Sequence, residues 1–245
     1  MSRQPPGAPP PPPVQRIRLR YTKRGRLRFT SHRDIARVFE RALRRAEVPI
    51  AFSAGFSPHP KVSWVGAAAT GVASEAEYVE LALAQEQDPE QVRRALDASL
   101  PDGIDLVEAV TATPGTNLAD LVTASHWHVA LLQVELAAAE RAVAAFLAQE
   151  AVEVERMTKG GRRAFDARGP VVSLRALPGE GCAILDLVVQ HVTPAVRPDD
   201  VLSGLRAVSD LVTPVPPAVT RLAQGPLTAD GGVGDPLAPD RVAAG

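Results

Sequence analysis

The segment RIRLRYTK, residues 16–23, alternates strictly between apolar and basic side chains. This period of two is typical of a strand in a sheet that is buried on one side only. The apolar face carries Ile17, Leu19 and Tyr21, and the other face carries Arg16, Arg18 and Arg20. The segment therefore predicts a half-buried strand whose second face is lined by arginine and open to solvent.

A helix with two contrasting faces is predicted after this strand. Ser31 is the predicted N-cap of this helix. The carboxylate of Asp34, three residues later, is favourable near the positive end of the helix dipole. Pro49 marks the end of the helical region. The apolar face comprises Ile35, Val38, Phe39, Ala42 and Ala46, and the opposite face comprises Arg33, Arg37, Arg41 and Arg45.

Strand and helix patterns alternate through the rest of the chain. Residues 14–113 follow the order β-α-β-β-α-β, with the second strand broken into residues 50–54 and 61–67. Residues 114–225 repeat this order, with VEVERMT and VVSLRAL as strands around a basic turn and AVTRLAQ as the last strand. The predicted fold class is α+β, with tandem ferredoxin-like (βαββαβ) units. The Pro-rich residues 1–13 and the Gly-, Pro- and Asp-rich residues 226–245 are predicted to be disordered tails.

The formal net charge of −1 conceals a strong separation of charge along the chain. Residues 14–45 contain twelve Lys or Arg and two acidic residues, whereas residues 46–245 contain fourteen basic and twenty-six acidic residues. Such separation indicates a basic surface that binds an anionic partner. The alternative is a solvated basic face that neutralises the acidic remainder of the same protein.

Several classes of protein are excluded or disfavoured by the composition. The single Cys182 excludes a disulfide within one chain and a cysteine-based zinc or iron–sulfur site supplied by this chain alone. No run of 18 apolar residues is present, and the first residues lack the apolar stretch of a signal peptide. A soluble, cytoplasmic protein without a membrane association is the expectation.

The loop FSAGFSPHPKVSW, residues 52–64, is the first candidate site. Pro58 and Pro60 restrict the backbone on both sides of His59, so this histidine is held extended. Ser57, His59 and Lys61 are spaced two apart and could share one face, which suits phosphate contact or proton transfer. The alternative is a purely structural loop whose histidine bonds a backbone carbonyl.

Three further features carry possible chemistry. His32 lies in the first turn of the arginine-rich helix, where it could act as a neutral base or as a hydrogen-bond donor to a bound anion. The Gly-Gly turn in MTKGGRRAFDARG, residues 157–169, could contact a phosphate backbone through Lys159, Arg162, Arg163 and Arg168. His126 and His128 alternate on one strand face, but a third ligand has no clear spacing, so no metal site and no cofactor are predicted.

Two motifs in the first half resemble the radical SAM-associated, or radical SAM-linked, protein family. The first, RFxSHxD, is matched by Arg28, Phe29, Ser31, His32 and Asp34. The second, SxGFxPHPK, is matched by Ser53, Gly55, Phe56, Pro58, His59, Pro60 and Lys61. TKGGRRAFDARGPV and VTRLAQG also resemble family segments, although Ala164-Phe165 stands where a more polar stretch is expected. The family is a domain of unknown function, found fused behind radical SAM enzymes or as a separate chain in actinobacteria.

The resemblance implies an association with a radical SAM enzyme. This chain lacks the three-cysteine motif of such an enzyme, so it would supply binding of the substrate or of the partner enzyme. The leading hypothesis is a non-catalytic accessory protein that binds RNA, or another anionic substrate, through its basic face. The alternatives are a metal-independent RNA-processing enzyme that uses His32 and His59, and an interaction module that docks an acidic protein. The candidate binding residues are Arg16, Arg18, Arg28, Ser31, His32, Arg33, Arg37, Ser57, His59, Lys61, Lys159, Arg163 and Arg221.

Overall fold

The computed structural model describes residues 10–158 and 161–243, which form an α+β protein with antiparallel sheets. The chain divides into two compact units: residues up to 119 together with residues from 236 onward, and residues 120–235. Residues 1–9, which belong to the predicted N-terminal tail, lie outside the described range. In the part of the chain that is described, no helix combines the length and the apolar composition needed to cross a membrane.

The first unit contains a four-stranded sheet with two helices on one face. Its elements are β1 (Gln15–Lys23), α1 (His32–Arg45), β2 (Val62–Val65), β3 (Ala73–Leu83), α2 (Pro89–Asp97) and β4 (Leu106–Thr111). The strand order is β4-β1-β3-β2, and each neighbouring pair is antiparallel. A short 3-10 helix (Gly25–Phe29) follows β1, and a second (Leu118–Leu121) begins at the end of this unit.

The core of this unit lies between the helices and one face of the sheet, as the alternation predicts. Ile17, Leu19 and Tyr21 are buried together with apolar residues of α1, α2 and β3. The predicted N-cap Ser31 is confirmed, since its Oγ accepts from the N–H of Asp34, and in α2 an Asp88 carboxylate oxygen likewise accepts from the N–H of Glu90. These local bonds satisfy backbone donors that would otherwise be unpaired at the helix ends.

The opposite face of the same sheet is partly covered, contrary to the prediction of an open arginine face: Arg18 is buried, whereas Arg16 stays exposed. A short helix, α5 (Ala238–Ala243), belongs to this unit, and Leu237 just before it is fully buried. Leu237 packs with Ala76, Tyr78 and Leu118 in a small apolar cluster on this second face. The prediction that residues 226–245 are disordered is therefore wrong for residues 226–243, because apolar and acidic side chains within them are buried. Residues 244–245 are outside the described range.

The second unit has a sheet of the same order with an added hairpin. Its elements are β5 (Ala124–Leu132), α3 (Leu136–Leu147), β6 (Glu153–Thr158), β7 (Gly161–Asp166), β8 (Val171–Gly179), β9 (Cys182–Gln190), α4 (Pro198–Val208) and β10 (Ala218–Gly225). The sheet order is β10-β5-β9-β8, again with antiparallel neighbours, and β6 pairs with β7 alone. A Cβ atom on Gly204 of α4 would lie 2.7 Å from the Phe146 ring of α3, so glycine permits these helices to pack closely.

Two strand predictions are corrected. VEVERMT does not neighbour VVSLRAL, because GRRAFD itself forms β7 and pairs with β6, while β8 pairs with β9. The predicted strands at 50–54 and 61–67 reduce to β2, Val62–Val65, with isolated bridges at Ile50 and Phe52. The proline- and glycine-rich sequence between them removes backbone donors and bends the chain, so a longer ladder does not form.

Candidate functional site

The loop that leads into β2 is closed by reciprocal bonds between Ser53 and His59. The Ser53 N–H donates to the His59 carbonyl at 2.9 Å, and the His59 N–H donates to Ser53 Oγ at 3.1 Å. Phe52 and Pro60 form an isolated bridge, and Gly55 has a φ of +128°, which other residues rarely adopt. Ser53 therefore helps the two prolines to fix the backbone of His59.

These contacts also orient the His59 imidazole. Its Nδ1 lies 3.1 Å from the Ser57 carbonyl oxygen and 3.2 Å from Ser53 Oγ. Because a carbonyl can only accept, Nδ1 carries the proton and donates to Ser57. Nε2 makes no hydrogen bond to any described residue, and the side chain is exposed. The loop thus holds one face of the imidazole and leaves its second nitrogen for a ligand.

A pocket of about 260 Å³ joins His59 to two cations on the covered side of the sheet. Lys61 and Arg16 line it, together with Ser53, Ser63 and Glu80. Arg16 is half exposed and its Nη1 lies 2.6 Å from Glu80 Oε1. Lys61 forms no ion pair within residues 10–158 and 161–243, so it is the cation of this pocket that is free to bind an anion.

A wider groove of about 940 Å³ lies beside this pocket, within the same unit. It is also lined by Arg16 and Glu80, which pair with each other, and by the acidic Glu86 and Asp88. Residues 111–117 form much of its remaining wall. The excess of carboxylates makes this groove a poorer match for a phosphate than the pocket around Lys61.

Arg18, a predicted binding residue, is instead fully buried and has all its donors bonded. Its Nε donates to Glu80 at 3.0 Å, and Nη1 donates to both carboxylate oxygens of Asp240 at 3.0 and 2.8 Å. Nη2 donates to the carbonyl and the hydroxyl of Thr116, both at 2.9 Å. An arginine with five internal bonds and no exposed surface cannot contact RNA, so its role is structural.

The arginines of α1 have the opposite environment. We define the arginine stripe as Arg33, Arg37, Arg41, Arg44 and Arg45, all exposed and opposite the buried residues of the helix. Arg37 pairs with Asp34 at 3.3 Å and Arg45 donates to the Ser99 carbonyl at 3.2 Å. The side chains of the other three form no ion pair or hydrogen bond with any residue that the structure describes. Most of the stripe's charge is therefore not neutralised locally.

The remaining residues of the first motif surround the start of α1. Ser31 caps the helix, and the His32 ring packs edge-on against Trp64, with ring centroids 5.3 Å apart. The Arg28 guanidinium lies over the ring of Phe29 at 4.7 Å, and its buried Nε finds no partner in the described chain. Phe29 is itself 60% exposed. This motif joins the arginine stripe to an exposed aromatic ring.

The two histidines of the motifs lie on opposite faces of the sheet. Trp64 pairs with Val79 and packs into the core beneath α1, so His32 lies on the helical face. Ser63 pairs with Glu80, and both line the His59 pocket on the other face. A general acid and base that act on one bond must both reach it, so this arrangement does not support the His32/His59 enzyme hypothesis. It likewise places His59 and the arginine stripe apart rather than in one site.

The candidate residues of the second unit also separate. Arg221 is buried, donates to Gln224 at 3.1 Å and lies over the Trp127 ring at 5.3 Å. Arg163 is exposed on β7, opposite Arg156 of β6. Lys159, which lies between these strands in the sequence, is outside the described residues. Arg163 is thus the one predicted residue of this unit that the described structure leaves accessible.

The contributions of three loop residues were not predicted from the sequence. Ser53 was noted only as part of a motif, yet its bonds with His59 close the loop, and its spacing of six from His59 gave no local signal. Phe52 and Phe56 are 43% and 66% exposed, although aromatic residues are usually buried. Both rings lie in a Gly- and Pro-rich loop that has no helical or strand periodicity, and this was the sequence signal that could have indicated their exposure.

Comparisons with known proteins identify a family. No curated protein matches the chain. An unknown protein from Galdieria sulphuraria is similar at 16% sequence identity and a TM-score of 0.25, over 79% of this chain and 91% of that one. A DyP-type peroxidase from Shewanella oneidensis is similar at 10% identity and a TM-score of 0.22, over 82% of this chain and 88% of that one. A DyP-type peroxidase from Mycobacterium smegmatis is similar at 12% identity and a TM-score of 0.21, over 89% of this chain and 94% of that one. At these TM-scores the likenesses carry no argument. The family described as an uncharacterized protein conserved in bacteria, DUF2344, matches residues 16–198. Since this match spans well over half of the sequence, the chain belongs to that bacterial family.

Proposed function

We propose that this protein is a non-catalytic accessory protein that binds single-stranded RNA. The observation that carries the proposal is the arginine stripe of α1, whose charges are exposed and largely uncompensated. From Arg33 to Arg45 the stripe extends over about 18 Å of helix at 1.5 Å per residue. A row of cations of this length suits several successive phosphates of one strand, and such contacts bind without strong sequence preference.

Exposed aromatic rings in the same unit support RNA over other polyanions. Phe29 lies at the start of the arginine helix, and Phe52 and Phe56 lie in the loop that holds His59. Aromatic side chains stack on unpaired bases, and this stacking adds affinity in single-stranded binding sites. A phosphate at Lys61 together with a base on Phe56 would use the pocket and the loop side by side.

We infer that each unit is ferredoxin-like. The order of the helices and strands in the first unit, and its β4-β1-β3-β2 arrangement, support this interpretation. The second unit has the corresponding order, with the β6–β7 hairpin added after α3. RNA-binding sheets of this type use stacking aromatics on the open face. Here Arg18 and its partners occupy part of the corresponding face of the first unit, so binding would use the arginine stripe on the helical face and, separately, the pocket at the His59 loop.

The association with a radical SAM enzyme is part of the proposal and comes from the sequence motifs alone. The matched family description names no enzyme partner. The chain has a single cysteine and so cannot bind the cluster of such an enzyme by itself. In this proposal the accessory protein holds the RNA and the partner performs the chemistry.

The arginine stripe provides the test. Exchange of Arg33, Arg41 and Arg44 for glutamine is expected to weaken binding of all single-stranded oligonucleotides similarly. The plot of log K against log salt concentration should flatten by up to about 2 units, at about 0.7 per lost phosphate contact. Fluorescence anisotropy at several salt concentrations measures both quantities.

A matched variant removes the same charge from elsewhere. Arg94, Arg141 and Arg206 are exposed arginines outside the stripe, and their exchange for glutamine should leave the slope close to that of the parent. If both triple variants lose affinity equally, only net charge matters, and the stripe is a solvated face. Absence of binding by the parent protein at low salt would contradict the proposal itself.

The His59 loop gives a second prediction. Exchange of Lys61 for glutamine, or of His59 for alanine, is expected to weaken oligonucleotide binding while the free energy of unfolding changes by about 1 kcal/mol or less. Ser53→Ala should also weaken binding, because the loop loses the acceptor for the His59 N–H. Ser57→Ala is the control, since Ser57 contributes its carbonyl. Unchanged affinity together with a large stability loss in His59→Ala would identify a structural histidine.

A further inference from the structure

The pairing of β5 with β9 brings two histidines and an aspartate together on one face of the second sheet. His128 lies directly opposite Asp186 in the strand register, and His126 lies two residues earlier on the same face. The neighbouring Trp127 and Leu187 point to the other face, where Leu187 is buried. Asp186 lies 58 residues beyond His128 in the sequence, so only the register of the sheet joins the three.

The three side chains converge through their polar atoms. Asp186 Oδ1 makes a short hydrogen bond with His126 Nε2 and lies 3.4 Å from His128 Nε2. One ligand atom from each residue lies within 4.8 Å of the others. The Asp186 side chain is 7% exposed, whereas the His126 and His128 side chains are 31% and 38% exposed. A buried carboxylate is thus flanked by two imidazoles that solvent can reach.

Arg175 fixes the direction of the carboxylate. Its Nη2 donates to Asp186 Oδ2 at 2.7 Å, which leaves Oδ1 directed at the two imidazoles. Burial raises the pKa of Asp186, but hydrogen bonds from His126 and Arg175 more than offset it, so the net shift is downward. A carboxylate held ionised by a neighbour on its second oxygen is the usual arrangement of a metal ligand.

We propose that His126, His128 and Asp186 bind a divalent transition metal ion of the zinc type through Nε2, Nε2 and Oδ1. Ligand bonds of about 2.0–2.2 Å in tetrahedral geometry place the donor atoms about 3.3 Å apart. The Oδ1 to His128 Nε2 distance already has this value. The metal replaces the hydrogen bond between His126 and Asp186, and rotation of the exposed imidazoles closes the remaining gap.

The donor set decides the class of metal. Two imidazole nitrogens and one carboxylate oxygen suit Zn²⁺, Co²⁺ or Fe²⁺, whereas Mg²⁺ and Ca²⁺ prefer oxygen ligands. Three protein ligands leave at least one position of the metal for water or another ligand, as in catalytic rather than structural zinc sites. This site is independent of the proposed RNA binding, which rests on residues of the first unit.

Zn²⁺ and Co²⁺ are the probes that test the site. Calorimetric titration of untagged, chelator-treated protein with Zn²⁺ is expected to give one site per chain, and Co²⁺ should produce visible absorption bands. The measurements are made in a Cys182→Ser background, so that the single thiol cannot bind the probe. Mg²⁺ is expected to give no saturable binding. Failure of Zn²⁺ to saturate the protein below about 1 mM overturns the proposal.

Variants locate the site. His126→Ala and His128→Ala are expected to weaken Zn²⁺ binding by more than about 10-fold, and Arg175→Gln by about 10-fold through loss of orientation. His59→Ala, which removes a histidine of the first unit, is the control and should bind as the parent does. Asp186→Asn tests the third ligand, with circular dichroism reporting whether it folds. If His126→Ala and His128→Ala both bind Zn²⁺ with the affinity of the parent, the three residues form only an ion-pair cluster and the proposal is wrong.

Discussion

Replacing Arg18 by methionine is expected to destabilise the first unit by about 3–5 kcal/mol. Methionine fills much of the same space but leaves Asp240, which is fully buried, without its cation. Glu80 keeps Arg16, so most of the loss comes from Asp240 and from the unpaired oxygens of Thr116. Urea unfolding followed by circular dichroism measures the change.

The adjacent arginine on the same strand face is the control. Arg16 also bonds to Glu80, but its side chain is 54% exposed, so Arg16→Met should cost less than about 1 kcal/mol. Arg18→Lys should lie between the two, because one ammonium cannot reproduce the forked contacts with Asp240 and Thr116. Equal losses of stability in the two methionine variants would mean that the buried Arg18 network contributes no more than the half-exposed ion pair of Arg16.

Arg18 also shows what a local sequence pattern predicts and what it cannot. The alternation in β1 correctly gave a strand and correctly separated its two faces. The alternation could not predict which segment covers the second face, because Asp240, the partner of Arg18, is 222 residues away in the sequence. A period of two assigns side chains to faces, and whether a face meets water depends on long-range contacts that local periodicity does not carry.

Signals that act within one helical turn were read correctly. The predicted cap at Ser31 depends on a bond from the N–H of Asp34, three positions ahead, and this bond is present. The GRRAFD segment was assigned to a turn because its charges and glycine obscured a strand. It is held as a strand by its register with Glu153–Thr158.

The sequence pattern drew attention to His59 and Lys61, but it did not predict on which face of the sheet each candidate residue lies. The spacing of His59 and Lys61 predicted a shared position, and both line one pocket. The enzyme hypothesis also pairs His32 with His59, because both residues belong to motifs of the family that the sequence resembles. The four-residue strand β2, however, sends Trp64 and Ser63 to opposite faces, which separates the two histidines. Such a short strand leaves no pattern from which its register could be predicted.

The second large effect is expected when residues 236–245 are removed. The composition of this segment predicts a disordered tail, but the structure buries Leu237 against Tyr78 and Leu118 and pairs Asp240 with Arg18. Truncation after Asp235 should therefore cost at least about 3 kcal/mol, because a buried guanidinium loses its carboxylate and an apolar cluster becomes exposed. The midpoint of urea unfolding should fall accordingly.

A chain in which residues 236–245 are replaced by ten Gly and Ser residues separates side-chain contacts from chain length. It should be as unstable as the truncated protein, since the lost contacts are those of Leu237 and Asp240. In the Arg18→Met background the same truncation should cost markedly less, because the buried charge that Asp240 neutralises is already gone. Additive losses would show that the C-terminal segment stabilises the unit without Arg18, through the apolar cluster around Leu237 alone.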